Sequence, residues 1–165
     1  MNRGVSLAGS NGRKNHALEL QELGREMSVH TILFHNAVAE RLGLNVTDHR
    51  CLDYILRAGG ITAGQLSRAT GLTTGAITGV VDRLEKAGFA RRQADPKDRR
   101  KVIITVRPER LPEIEKLFAS LARNMGRAMS GYSARDSNVL VDFMRRVRDV
   151  MRQENLKLRS EKTKL

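Results

Sequence analysis

Tryptophan is absent from the 165-residue sequence, and two tyrosines and four phenylalanines bring the aromatic share to only 4 %. That is too few to build a rigid aromatic platform for stacking single-stranded bases or sugars. The single cysteine, Cys51, excludes an internal disulfide and suits a reducing compartment. No apolar run approaches the roughly 20 residues that a bilayer-spanning helix needs. The opening MNRGVSLAGSNGRKNH has no apolar stretch of signal-peptide length. These absences lead to the expectation of a soluble, cytoplasmic protein with no membrane partner. Phosphate-binding glycine motifs, metal signatures and nucleophile elbows are also missing, so no enzyme is expected. Of the four histidines, His16, His30, His35 and His49, the middle two are five apart and about 140° apart round a helix. They do not share a face, and no Cys/His pair has ligand spacing, so neither metal nor cofactor is expected.

What the chain has is basic charge, unevenly placed. The length fits one domain, or one domain with appended helices, and 40 % hydrophobic residues are enough for a packed core. Of the formal charge of +12, residues 1–16 carry +3, residues 89–107 carry +5 and residues 145–165 carry +5. A solvated face explains the two ends. It explains the internal segment less well, because there seven bases and two acids alternate with apolar residues.

The hydrophobic period divides the chain. Residues 1–16, rich in Gly, Ser and Asn, read as a flexible arm. Over residues 17–42, Leu20, Leu23, Met27, Leu33, Phe34, Val38 and Leu42 recur at threes and fours, which predicts a long amphipathic helix stopped by Gly43. Thr47-Asp48 resembles an N-cap followed by an acid, opening a helix with Leu52, Ile55 and Leu56 inward. Thr62 and Gln65 have capping-box spacing for a short helix carrying Leu66 and Ala69. After Gly71-Leu72, Thr73 or Thr74 caps a further helix with Ile77, Val80, Val81 and Leu84 on its buried face, ended by Gly88. The period then changes: residues 89–94 and 101–106 read as two strands around the polar turn Asp95-Pro96-Lys97-Asp98-Arg99-Arg100. Helical rhythm returns after Pro108 through Leu111, Ile114, Leu117, Leu121 and Met125. It resumes beyond Ser133 with Val139, Leu140, Phe143, Met144, Val147 and Met151, before a basic tail.

Two short helices joined by Gly-Leu and followed by a basic hairpin form a winged helix-turn-helix. The second helix must bury one side and expose its first turns, so that it can enter a major groove roughly 12 Å wide. Thr73, Thr74, Gly75, Thr78 and Gly79 form that exposed set. Threonine hydroxyls can bond phosphates or base edges and their methyls can touch thymine, whereas the glycines only permit close backbone approach. So thin a reading surface places much of the affinity on phosphates and on the hairpin bases Lys97, Arg99, Arg100 and Lys101.

The stretch QLSRATGLTTGAITGVVDRLEKAGFARRQADPKDRRKVIITV resembles the core of the MarR family of bacterial transcriptional regulators. The specific features are Asp82-Arg83-Leu84-Glu85-Lys86-Ala87-Gly88 at the end of the recognition helix and the Asp95 to Arg100 turn. The likeness covers residues 47–106 closely and the flanking helices by layout. It implies a mainly α fold with a small β-hairpin wing, a winged helix-turn-helix carried by N- and C-terminal dimerisation helices. The chain then divides into an arm (1–16), an N-terminal dimerisation helix (17–46), the DNA-binding region (47–107), C-terminal dimerisation helices (108–155) and a basic tail (156–165). The resemblance implies a homodimer on double-stranded DNA, with a wing arginine entering the minor groove.

Asp98 and Arg100 fall on the matching positions of the family's Asp-x-Arg, with Arg99 between them at the tip. Phosphate repels a carboxylate, so Asp98 is expected to anchor the wing to a nearby cation, with Arg83 the candidate. Arg83 itself stands between that role and a phosphate clamp. Gly79 departs from the pattern, since many relatives carry a long polar or basic side chain there. Some relatives also use cysteine as a redox sensor, but the surroundings of Cys51 favour a packed core thiol. The function implied is a repressor that excludes polymerase from a pseudo-palindromic operator and is released by a small-molecule effector. The alternatives are a nucleoid-type protein binding duplex DNA with little sequence preference, and an interaction module that keeps the fold without operator binding.

Overall fold

The computed structural model describes residues 8–161, with side chains over residues 15–160. Helix α1 spans Ala8–Arg41, so residues 8–16, expected in a flexible arm, form its first turns. Once a helix is nucleated, each added residue brings its own backbone hydrogen bond, and a weakly helical leader is carried along. The remainder of the arm (1–7) and the end of the tail (162–165) lie outside the described residues.

Up to Leu117 the chain is one compact unit. Helix α2 spans Val46–Ala58 and is capped by Asn45, two residues earlier than the threonine expected from sequence. The Asn45 Oδ1 accepts from the Asp48 amide at 2.9 Å. Helix α3, Ala63–Thr70, opens on the expected capping box: the Thr62 amide donates to Gln65 Oε1 at 2.9 Å and the Gln65 amide to Thr62 Oγ1 at 3.2 Å. Gly71 ends it with φ 75°, a left-handed turn that costs glycine nothing. The recognition helix α4, Thr74–Lys86, follows within three residues.

Strands β1, Ala90–Ala94, and β2, Val102–Val106, pair antiparallel in the register Ala90 to Val106 and Ala94 to Val102. Ile61, between α2 and α3, adds a short third edge: its amide donates to the Ile104 carbonyl at 3.0 Å, and the Ile104 amide donates back at 2.8 Å. A single 3₁₀ turn, Pro108–Arg110, leads into α5, Leu111–Met129. Leu52, Ile55, Leu66, Ile77, Val80, Val81, Leu84, Phe89 and Ile104 are all buried. At about 1.5–3 kcal/mol for each large apolar side chain, this cluster holds the helix-turn-helix at a fixed angle. The Arg110 guanidinium closes one side of it, 4.0 Å from the Phe89 ring centre.

The second unit begins at Phe118 and contains the rest of α5 and helix α6, Ala134–Glu161. Residues 156–161, expected in an aperiodic tail, are therefore helical. Ser133 caps α6, its Oγ accepting from the Asp136 amide at 3.2 Å. Among the described residues of this unit no side chain is fully buried, and Met125, Val139, Met144, Val147 and Met151 lie open on their helices.

Candidate nucleic-acid interface

The turn between α3 and α4 is tied by side chains as well as by packing. Ser67 Oγ donates to the Leu72 carbonyl at 2.6 Å, and Thr70 Oγ1 donates to the Leu66 carbonyl at 2.8 Å. These bonds fix where α4 starts. Thr73 is its N-cap, accepting from the Ala76 amide at 3.3 Å, so one exposed threonine of the expected set is spent on the helix end. Thr78 donates its hydroxyl proton to the Thr74 carbonyl at 3.1 Å, leaving its oxygen lone pairs and methyl outward. Thr74 and Gly75 are exposed, and Gly79 is half-buried. With no side chain at 75 or 79, the middle of the outward face of α4 is bare backbone.

Arg83 does not meet Asp98. Its Nε donates to Asp48 Oδ2 at 2.8 Å and its Nη2 to Asp48 Oδ1 at 2.6 Å, joining the recognition helix to the first turn of α2. Asp48 is nearly fully buried, and Asn45 Nδ2 supplies a third donor at 2.7 Å. A buried carboxylate needs such partners, and Arg83 answers with a two-pronged fork. The bond to Asp48 holds the Arg83 guanidinium above its ordinary range.

Asp98 instead acts within the wing. Its Oδ1 accepts from the Arg100 amide at 3.2 Å and from Arg100 Nε at 3.3 Å, and its Oδ2 faces Lys101 Nζ at 3.2 Å. The Arg100 amide first, then Lys101 and the Arg100 side chain, hold the Asp98 carboxyl below the usual carboxylate range. Its own amide donates to the Asp95 carbonyl at 3.2 Å, and the Lys101 amide to its carbonyl at 2.8 Å, which closes the turn. The expected partner was wrong because Arg83 lies within reach of Asp48 and the wing turn satisfies its own acid. Lys97 and Arg99 carry no ion pair among the described residues, and the Arg100 side chain is 93 % exposed despite its contact with Asp98.

One basic residue that sequence reasoning counted only as wing charge has a structural task. Arg92 on β1 turns towards α4, where Nη2 donates to Asp82 Oδ1 at 2.8 Å and Nη1 reaches Glu85. The Arg92 amide also donates to Glu85 Oε1, at 2.7 Å. The wing is thus clamped to α4, fixing the distance between that helix and the hairpin. Asp82 and Glu85 stand one helical turn apart, which was the available signal.

Two further groups sit away from this surface. His35 on α1 and His49 on α2 share a hydrogen bond, Nδ1 to Nε2, of 3.1 Å. Burial first, and His35 second, hold His49 below its ordinary pKa, while Asp53 works the other way. Cys51 is fully buried, and burial pushes its thiol up, the opposite of what a redox sensor needs. No group of three or more His, Cys, Asp or Glu side chains able to hold a metal ion gathers among the described residues.

Comparison with known proteins agrees with this architecture. A family model described as MarR family matches residues 42–101. The chain is 38 % identical over 133 residues to the HTH-type transcriptional regulator YcgE of Bacillus subtilis, covering 81 % of this chain and 86 % of that one. To the HTH-type transcriptional regulator YkoM of the same organism it is 29 % identical over 104 residues, 63 % of this chain and 68 % of that one. The solved structure of a MarR family protein from Bacillus stearothermophilus superposes with a TM-score of 0.64 at 21 % identity, covering 84 % of this chain and 96 % of that one. A likeness at that identity shows the shared fold.

Proposed function

Because the chain belongs to the MarR family of DNA-binding transcriptional regulators, we propose that it is a homodimeric repressor of a pseudo-palindromic operator, released by a small-molecule effector. The observation that carries this reading is the pairing of an open-faced recognition helix with a wing clamped beside it by Arg92 and bearing the cations Lys97 and Arg99, which have no ion-pair partner among the described residues. The helix enters a major groove, with Thr74 and Thr78 at its wall and Gly75 and Gly79 against the base edges. Lys97, Arg99, Arg100 and Lys101 meet phosphates and the neighbouring minor groove, while Asp98 shapes the turn that presents them.

Dimerisation is supported by apolar surface that one copy leaves open. Leu20, Leu23, Met27, Ile32 and Leu33 on α1, and Val139, Met144, Val147 and Met151 on α6, are all exposed. Large apolar side chains exposed in such number mark a protein interface, and the family layout assigns residues 17–46 and 108–155 to it. A second copy places the two recognition helices on half-sites about one helical turn, roughly 34 Å, apart.

A hollow of about 490 Å³ between α1 and the start of α5, lined by Phe34, Val38, Arg41, Glu113, Lys116 and Leu117, has the size and the mixed apolar and charged lining for a small organic molecule. Such an effector releases DNA only by preferring the geometry that DNA does not. The regulator works in the cytoplasm on this reading, and no helix among the described residues is long and apolar enough to cross a membrane.

Selection of sites from random duplex DNA, with binding to the winner and a scrambled control across a salt series, tests the proposal. An inverted repeat preferred by at least ~10³-fold is expected. Binding that falls steeply with salt and ignores sequence refutes the repressor and leaves a nucleoid-type protein of low specificity.

A further inference from the structure

On the side of α4 opposite Ile77, Val80, Val81 and Leu84, positions 75 and 79 stand one turn apart and neither bears a side chain. Arg83, one turn further on, leans back over the gap. Its Nη1 lies 3.5 Å from where a Cβ on Gly79 would stand. The same guanidinium is gripped along its Nε and Nη2 edge by Asp48, at 2.8 and 2.6 Å. The Asp48 side chain is 3 % exposed and the Arg83 side chain 54 %, so one end of the pair is anchored in the core and the other opens outward.

A guanidinium carries five N–H donors in one plane. Asp48 occupies the side edge, and the end edge, Nη1 with the outer proton of Nη2, has no hydrogen-bond or ion-pair partner among the described residues. Two features distinguish this free edge from an ordinary surface arginine. The fork is already held in one conformation, so little side-chain entropy remains to be lost on contact. The pair is also close to neutral overall, so it adds little to indiscriminate attraction for phosphate and acts through directed hydrogen bonds. Two parallel donors beside a bare helix backbone match the O6 and N7 acceptors that guanine presents in the major groove.

We propose that Arg83 is the base-reading side chain of α4, addressing a guanine in each half-site, and that Asp48 on α2 is the positioning residue that aims it. The inference rests on the operator-binding function proposed above and deepens it. It supplies a reader for a helix whose central positions carry none.

The test is site selection with the wild type, Arg83→Lys and Asp48→Asn, with thermal melts of each and the salt dependence of binding to the selected site. Arg83→Lys keeps the charge and loses the fork. Its consensus is expected to keep the inverted repeat and lose the guanine preference at one position per half-site, by about 5- to 150-fold. Asp48→Asn is expected to relax that same position by a smaller factor and, with the Arg83 charge no longer balanced, to leave the salt slope no shallower than that of the wild type. Profiles identical to wild type at every position overturn the assignment. So does a loss spread evenly over all positions with every base preference retained, which places Arg83 on a phosphate. Should Asp48→Asn fail to fold, the Arg83→Lys profile alone decides. A wild type that selects no inverted repeat rejects the operator reading and the base reader together, and so is distinguishable from failure of the assignment alone.

Discussion

Replacing Gly79 with alanine is expected to make the protein more stable and worse at binding DNA. Glycine inside a helix is about 0.8–1.0 kcal/mol less favourable than alanine, because it has more backbone freedom to lose. The gain survives only if the new methyl fits. A Cβ at 79 would meet Arg83 Nη1 at 3.5 Å, an ordinary contact. Gly75 has nothing within 4 Å of its would-be Cβ. It lies in the first turn, where fewer intrahelical bonds depend on it, so its gain is smaller. For a chain of this length about 1 kcal/mol raises the melting temperature by roughly 2–4 °C, readable by calorimetry at fixed protein concentration. In the complex the same methyl stands between the helix backbone and the base edges. Displacing that contact costs about one specific interaction, and roughly a tenfold loss of affinity for the selected operator is expected. Fluorescence anisotropy on the operator and a scrambled duplex reads it. A lower melting temperature refutes the packing argument. Undiminished operator binding by both Gly75→Ala and Gly79→Ala refutes the placement of this face against DNA.

Arg92→Met, which removes the clamp between β1 and α4, is expected to weaken operator binding about tenfold while costing only about 0.5–1.5 kcal/mol in denaturant unfolding, because the clamp is partly exposed; an unchanged operator affinity would show that the wing needs no fixing. Burial keeps His49 neutral in the folded protein below its ordinary pKa of 6.5, so between that lowered value and 6.5 the unfolded chain binds the proton that the native one refuses. Stability should therefore be complete above about pH 7 and decline as the pH falls through 6.5; an equilibrium unfolding series in which His49→Gln keeps the full decline sinks that account. Cys51, buried with a raised thiol, is expected to resist an aromatic disulfide reagent until denaturant is added, and peroxide should leave operator binding intact; rapid labelling of the native protein would contradict it.

What could be seen in advance follows the range of the interactions. The Thr62 and Gln65 capping box, the Gly71 turn, the apolar spacing of Ile77, Val80, Val81 and Leu84, and the wing turn around Pro96 are all local. Each is visible as a spacing of a few residues. The start of α1 at Ala8 was missed because composition describes an isolated segment, whereas the helix extends from a nucleus further along. The link between Arg83 and Asp48 spans 35 positions and that between His35 and His49 spans 14. Only the fold brings these together. Asp48 reads from sequence as a first-turn acid of α2, and nothing local reveals that its carboxylate faces inward. The division of the wing bases into presenting and clamping residues is likewise tertiary: Arg91 and Arg92 are neighbours, and strand alternation turns only the second towards Asp82 and Glu85.

Asp48 and His49 occupy consecutive positions on α2, yet one grips the recognition helix and the other grips α1. Neighbours on a helix point about 100° apart, so this single turn works like a cam with two followers. A twist of α2 about its axis that loosens one grip must shift the other as well. The end of α1 and the aim of Arg83 therefore share one mounting, and since Cys51, Leu52 and Ile55 of the same helix are buried, the core that resists such a twist steadies both.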